Sequence, residues 1–224
     1  MNTEARATGL GLSEPSNGRA EDQITLGLLN AIEGNSAVTQ RSLARDLGIA
    51  LGLANAYLKR CVTKGLVKVA TAPANRYVYY LTPKGFSEKS KLTGEYLAQS
   101  FRFFRSARDQ VSAILKDCEN RGFRRIALFG AGDLAEIVTL CARDFEVELV
   151  GIVDGQPGEA AATTHLRIAP NLADLGPVDV AIVTSLDGPQ GAFDAAQAVV
   201  PADRILAPSL LKISRERPVF VAEA

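Results

Sequence analysis

The chain has 224 residues, 47% of them hydrophobic, and carries 25 basic and 25 acidic side chains. That is enough apolar material for a real core, in one large domain or two small ones, and no apolar run reaches the ~18 residues of a membrane span. Three widely spaced cysteines, Cys61, Cys118 and Cys141, and a single histidine, His165, exclude a disulfide framework, a zinc cluster and chemistry that needs several histidines.

Residues 1–20 are rich in Gly, Ser, Ala and Thr and lack the apolar stretch of a secretory signal. They are expected to form a flexible tail, and the protein to be cytoplasmic. The neutral total conceals an asymmetry. Residues 1–120 hold 16 basic and 11 acidic side chains, whereas residues 121–224 hold 9 and 14. Between Ala37 and Lys91 ten basic residues face only Asp46 and Glu88. A nucleic-acid-binding module joined to a different, acidic module gives this distribution; so does a solvated helical surface.

In chain order, Gln23 to Glu33 places apolar residues at Leu26, Leu29 and Ile32, flanked by Ile24 and Leu28. This predicts an amphipathic helix ended by Gly34-Asn35-Ser36. Thr39 caps a second, short helix with Leu43 and Leu47 one turn apart, and Gly48 stops it. After the turn Gly48-Ile49-Ala50, a third helix is predicted from Leu51 to Lys64, with Ala54, Leu58 and Cys61 facing inward and Gly65 closing it. Two helices joined by so short a glycine-containing turn make a helix-turn-helix. Leu66–Val69 and Tyr77–Leu81, around the turn residues Pro73-Ala74-Asn75, read as a hairpin, the wing. Thr82-Pro83 then opens another helix, with proline at the first helical position.

The stretch TQRSLARDLGIALGLANAYLKRCVTKGLVKV, the short wing and YYLTPKGFSEKSKLT together resemble the MarR-type winged-helix regulators associated with exopolysaccharide gene clusters, over about Ile24 to Phe104. The resemblance implies binding to double-stranded DNA, with the third helix in the major groove and the wing on the flanking backbone. Carried to this sequence, it puts Gln40 and Arg41 near phosphate at the start of the second helix. It puts Gly52, Asn55, Ala56 and Lys59 on the outward face of the recognition helix, and Asn75 and Arg76 at the wing tip. Asn55 is the residue able to hydrogen-bond an adenine edge, while Lys59, Arg60, Lys64 and Lys68 suit phosphates. The sequence departs from the family pattern at Ala50, where a capping Ser is usual, and at Leu53, where a polar residue is common. A winged helix used for protein contacts is the alternative.

From Lys84 to Asn120 there is no proline, and Gly94 is the expected interruption. Leu97, Phe101, Phe104, Val111, Leu115 and Cys118 follow a 4-3 spacing, with Arg108 in the one polar slot. Such a seam predicts helix pairing in a homodimer; the alternative is packing against the chain's own domains.

Arg124 to Phe129 reads as a buried strand, and Gly130-Ala131-Gly132-Asp133-Leu134-Ala135 follows directly as G-x-G-x-x-A, opening a helix to about Arg143. Val147 to Val153 is a second strand ending at Asp154. In this pattern Gly130 permits the tight turn, Gly132 lets a pyrophosphate approach the backbone, and Ala135 lets helix and strand pack closely. The helix start offers free N–H groups to phosphate, and Asp154 stands where an acid accepts ribose hydroxyls, favouring NAD-type over NADP-type ligands. The remaining elements are Leu166-Arg167-Ile168, a short helix capped by Asn171, a strand Val178–Thr184, a helix over Gln190–Val199 and a last strand Arg204–Ala207. The candidate ligand residues are Gly130, Ala131, Gly132, Asp133, Leu134 and Asp154, with Thr184 and Ser185 at the end of the Val178–Thr184 strand. This half resembles the small Rossmann domain of Rex-type redox-sensing repressors, although the Rex-type DNA-domain signature is absent. It is also similar to the Rossmann-like units of sugar-modifying enzymes in polysaccharide pathways.

The expected architecture is two-domain α/β: a tail over 1–20, a winged helix-turn-helix over 21–92, a connecting and dimerisation helix over 93–121, and a Rossmann-like parallel-sheet domain over 122–224. The expected function is a DNA-binding transcriptional regulator whose second domain senses a dinucleotide (NAD(H)-type) or a nucleotide sugar. The alternatives are a ligand-free scaffold for protein contacts and, more distantly, a nucleotide-sugar enzyme. No Ser-His-Asp, paired-carboxylate or P-loop arrangement is present in the sequence, and the nucleotide unit leaves almost no chain for a substrate lid, so a non-enzyme is expected.

Overall fold

Residues 16–73, 76–155 and 165–215 are described in the computed structural model, and the chain divides into one unit ending at Ser100 and a second beginning at Phe101. In the first unit, α1 (Ser16–Gly34), α2 (Gln40–Asp46) and α3 (Leu51–Thr63) precede an antiparallel hairpin, β1 (Val67–Ala72) and β2 (Arg76–Leu81). Helix α4 (Pro83–Asn120) begins in this unit and ends in the second. Of the expected tail, 1–15 lies outside the described residues, and from Ser16 the chain is already helical.

Local polar ties fix these elements. Thr39 Oγ1 accepts the N–H of Ser42 and Ser42 Oγ accepts the N–H of Thr39, both at 3.0 Å, a reciprocal cap that satisfies donors the helix start leaves free. Ala50 gives α3 no such cap. Thr82 caps α4 by accepting the N–H of Gly85 at 3.0 Å, while its hydroxyl donates to the Gly65 carbonyl at 2.7 Å. Tyr79 N–H donates to the Ser36 carbonyl at 2.9 Å, tying the wing to the turn after α1. Beneath them, Leu28, Leu29 and Ile32 of α1 pack with Leu43, Leu58, Cys61, Leu66 and Tyr79.

The second unit holds a parallel sheet of five strands: β3 (Arg125–Phe129), β4 (Glu148–Val153), β5 (Ile168–Ala169), β6 (Val180–Val183) and β7 (Ile205–Leu206). Their spatial order is β5-β4-β3-β6-β7. Ile126, Leu128, Ile152 and Ile182 are fully buried, as strands covered on both faces require. Helix α5 (Asp133–Ala142) joins β3 to β4, and α6 (Pro189–Gln197) joins β6 to β7. Between β5 and β6 stands only a 3₁₀ turn, Leu172–Leu175, where a full helix is usual in doubly wound folds. Asn171 precedes it without a side-chain cap, contrary to expectation. A groove of about 510 Å³ results, lined by Phe129, Val153, Leu172 and Val199 among others. Asp179 pins the sheet's lower edge: its Oδ2 accepts the N–H groups of Arg124 and Arg125 at 2.9 Å, and these bonds hold its carboxyl below the usual carboxylate range. Among the described residues, no helix is long and apolar enough to cross a membrane.

Helix α4 differs from the predicted seam. It runs through Gly94 without a break. Val111, Leu115 and Cys118 are fully buried in the core of the second unit, together with Ala107. Only Leu97, Phe101 and Phe104 remain exposed, at 47%, 60% and 40%. The 4-3 spacing therefore serves the chain's own core in its later half. Leu115→Ala should lower the stability of the second unit by roughly 2–5 kcal/mol, whereas Phe101→Ala should cost the unpaired chain no more than about 0.5 kcal/mol. Denaturant unfolding of both variants measures the contrast, and equal losses would overturn this assignment.

Candidate nucleic-acid interface and glycine turn

The surface expected to meet DNA is built from the start of α2, the outer face of α3 and the wing. Gln40 and Arg41 are exposed at the start of α2. On α3 one row, Gly52, Ala56, Lys59 and Thr63, is exposed, opposite the buried Ala54, Leu58 and Cys61. Arg41, Lys59, Lys64 and Lys68 make no ion pair among the described residues. Their exposed ammonium and guanidinium groups are available to phosphate.

Two of the expected DNA-contacting residues are differently placed. Arg60 Nη1 lies 2.7 Å from Glu21 Oε2 of α1, and this hydrogen bond raises its pKa further above the ordinary value. Its charge is engaged by its own fold. Asn55 is half-buried, and its Oδ1 is shielded from solvent without a hydrogen-bond partner. An acceptor so placed does not reach a base edge in this rotamer. Asn75 lies outside the described residues, and Arg76 opens β2.

Tyr77 is a further residue of this surface, beyond those the sequence points to. It is 63% exposed and, with Gln40 and Lys59, lines a cleft of about 460 Å³ between α2, α3 and the wing. The alternation of β2 carries the signal: Tyr79 is buried against α1 and α3, so Tyr77, two residues before, faces the same side.

At the other candidate site, the chain leaves β3 through Gly130, with φ +105°, and Gly132, with φ +147°. The two glycines answer different demands. A Cβ on Gly130 would stand 2.5 Å from Ser185 Cβ and 2.6 Å from the Ser185 backbone. A Cβ on Gly132 would meet nothing within 4 Å, so only the backbone angle requires glycine there. Thr184 is buried, and its hydroxyl donates to the Gly130 carbonyl at 2.6 Å. Asp154 Oδ2 accepts the N–H of Ala131 at 2.8 Å, so it closes over the turn. Leu134 is fully buried and offers a ligand only its backbone, whereas Asp133 is exposed at the start of α5. Asp133 and Glu136 put two carboxylates in the first turn of α5, where they already complement the positive end of the helix dipole.

The two units are thus a three-helix winged helix-turn-helix and a parallel α/β sheet with its glycine turn at the switch point between β3 and β6. Residues 21–68 match a family model described as winged helix-turn-helix DNA-binding. No curated protein matches the chain. Among solved structures, the PcaV transcriptional regulator from Streptomyces coelicolor in complex with its natural ligand aligns at 19% identity. That alignment covers 36% of this chain and 59% of that one, with a TM-score of 0.34. A MepR mutant from S. aureus bound to an oligodeoxyribonucleotide aligns at 21% identity over 37% and 61%, with a TM-score of 0.32. Human N-acetylserotonin methyltransferase in complex with SAM aligns at 15% identity over 88% and 81%, with a TM-score of 0.29. The present chain spans about three fifths of the length of the two regulators. All three scores lie below the level at which a common fold is assigned.

The glycine geometry makes a test. Gly130→Ala should prevent stable folding of the second unit, because the neighbour it strikes is backbone as well as side chain. Gly132→Ala should fold at a cost of about 1–3 kcal/mol, the strain of its backbone angle. Thermal unfolding that ranked the two the other way would contradict the assigned roles.

Proposed function

We propose that the protein is a DNA-binding transcriptional regulator acting in the cytoplasm as a homodimer. The observation that carries this reading is the exposed face of α3 within a matched winged-helix domain, flanked by cations that make no ion pair among the described residues. Protein-DNA affinity draws largely on such unpaired Lys and Arg groups, because each phosphate contact releases condensed counterions. In this reading residues 21–92 form the DNA-binding domain, 93–121 the connecting and pairing helix, and 122–224 the ligand domain. The exposed Leu97, Phe101 and Phe104 supply the pairing surface, now restricted to the first half of the predicted seam. Phe101→Asp should then sediment as a monomer where the unmodified protein sediments as a dimer.

Duplex binding should weaken steeply as salt rises. Lys59→Ala should lower the salt-dependence slope by roughly one. Arg60→Ala should change it less, since that guanidinium is engaged by Glu21. No binding at low salt would sink the regulator reading, and an Arg60 effect equal to that of Lys59 would remove the distinction between the two.

The second unit is read as a sensor of a nucleotide-type ligand, and the polysaccharide-linked resemblance makes a nucleotide sugar the first to try, followed by NAD(H). Support comes from Gly132, whose backbone conformation leaves open space above the switch point between β3 and β6. The scaffold reading has its own observation: Asp154 already occupies the Ala131 N–H, and two carboxylates stand at the start of α5. Calorimetry decides between them. The sensor reading expects heat with a nucleotide sugar or NAD(H), lost in Gly132→Val, while that variant still binds DNA. Silence with every such ligand would leave the scaffold, and turnover of a nucleotide sugar would instead show an enzyme.

A further inference from the structure

The part of α3 that a recognition helix turns towards the bases is unusual in what it offers. Gly52 has no side chain, Ala56 presents a methyl group, and Leu51 and Leu53 flank them at 44% and 42% exposure. The one amide in this turn, Asn55, has its acceptor oxygen shielded. The first charge along the exposed row is Lys59, two turns in. At Gly52 the protein's own packing does not ask for glycine, since a Cβ there would meet no atom within 4 Å. Two leucines this exposed are a standing cost in water, which contact with an apolar partner would remove.

In the major groove, the apolar group that distinguishes one base from the rest is the C5 methyl of thymine. A helix start that is flat at Gly52 and Ala56 can approach base edges closely, and its alkyl groups match that methyl and no hydrogen-bonding edge. We propose that α3 reads DNA through thymine methyl groups, contacted by Leu51, Leu53 and Ala56, while Arg41, Lys59 and the wing hold the phosphates. The inference rests on the DNA-binding reading above and adds its specificity: the preferred duplex carries thymines at fixed positions, recognised by shape and apolar contact. Leu53→Ser removes part of the apolar surface at an exposed position and leaves the core untouched.

The test uses the full chain and short duplexes of random sequence, prepared once with thymidine and once with deoxyuridine, which pairs identically but lacks the methyl. The protein should enrich thymine-bearing sites from the first pool. Replacing thymidine by deoxyuridine in the enriched duplexes should weaken binding by about fourfold for each methyl group that becomes buried. In Leu53→Ser the preference for thymidine over deoxyuridine should shrink by about fourfold, the share of the one methyl group that Leu53 covers, while Leu51 and Ala56 keep the rest, a result that mere loss of stability would not produce. Salt-dependent binding that is equally tight to both forms overturns the methyl readout and leaves the regulator reading intact. Absence of binding to either pool at low salt overturns both.

Discussion

Where β3 ends, the chain must leave the sheet beside the end of β6, and the space between them admits no side chain. The Phe129 carbonyl accepts the N–H groups of Thr184 and Ser185 at 2.8 and 3.1 Å, and the Thr184 hydroxyl reaches back to the Gly130 carbonyl. These bonds hold the two segments so close that Gly130 is obligatory. Because β3 pairs with both β4 and β6, this contact also fixes the crevice at the carboxyl ends of the strands and sets Gly132 at its mouth. The glycine motif therefore has two halves with separate causes. Gly130 is explained by packing alone, and the case for a ligand depends on Gly132.

The first unit has a comparable tie at Thr82. One residue joins the end of β2 to the turn after α3 and caps α4, and Lys84 Nζ adds a bond of 2.9 Å to the Lys64 carbonyl. The wing is thereby anchored at its base as well as to Ser36. Its orientation relative to α3 is set by backbone bonds, so Tyr77 is carried to the same cleft as Gln40 and Lys59 by a stiff support. Electrostatics then sort the surface. Arg60 and Lys89 pair with Glu21 and Glu33 of α1, whereas Lys59 beside the cleft makes no ion pair among the described residues.

Much of this was legible in the sequence because its causes are local. The Thr39 cap, the inward Ala54, Leu58 and Cys61, the hairpin and the strand-glycine-helix run all depend on residues within a few positions of each other. What escaped depends on distant partners. The bond between Arg60 and Glu21 spans 39 residues, and nothing in the neighbourhood of Arg60 announces it. The 4-3 spacing of α4 states that one face is apolar, but is silent on what covers it; Val111, Leu115 and Cys118 meet their own sheet. Asn55 sits between the buried and exposed rows of α3, so its rotamer rather than its position decides where its oxygen points. Asp154 follows β4 directly, as the sequence pattern predicts, yet its bond to Ala131 arises only once two strands lie side by side.

The strand order has a consequence for how the sheet is made. β3 is the first of the five to emerge during synthesis, and it is also the middle one. β4 then adds to one side of β3 and β5 to β4; β6 adds to the other side of β3 and β7 to β6. Each strand thus finds a finished edge waiting as it arrives, and none has to wedge between two that are already paired. Parallel pairing is slow because its partners are far apart along the chain, and exposed edges invite aggregation while they wait. Growing outward from the oldest strand, a nascent chain never has to undo a hydrogen-bonded ladder to admit a latecomer.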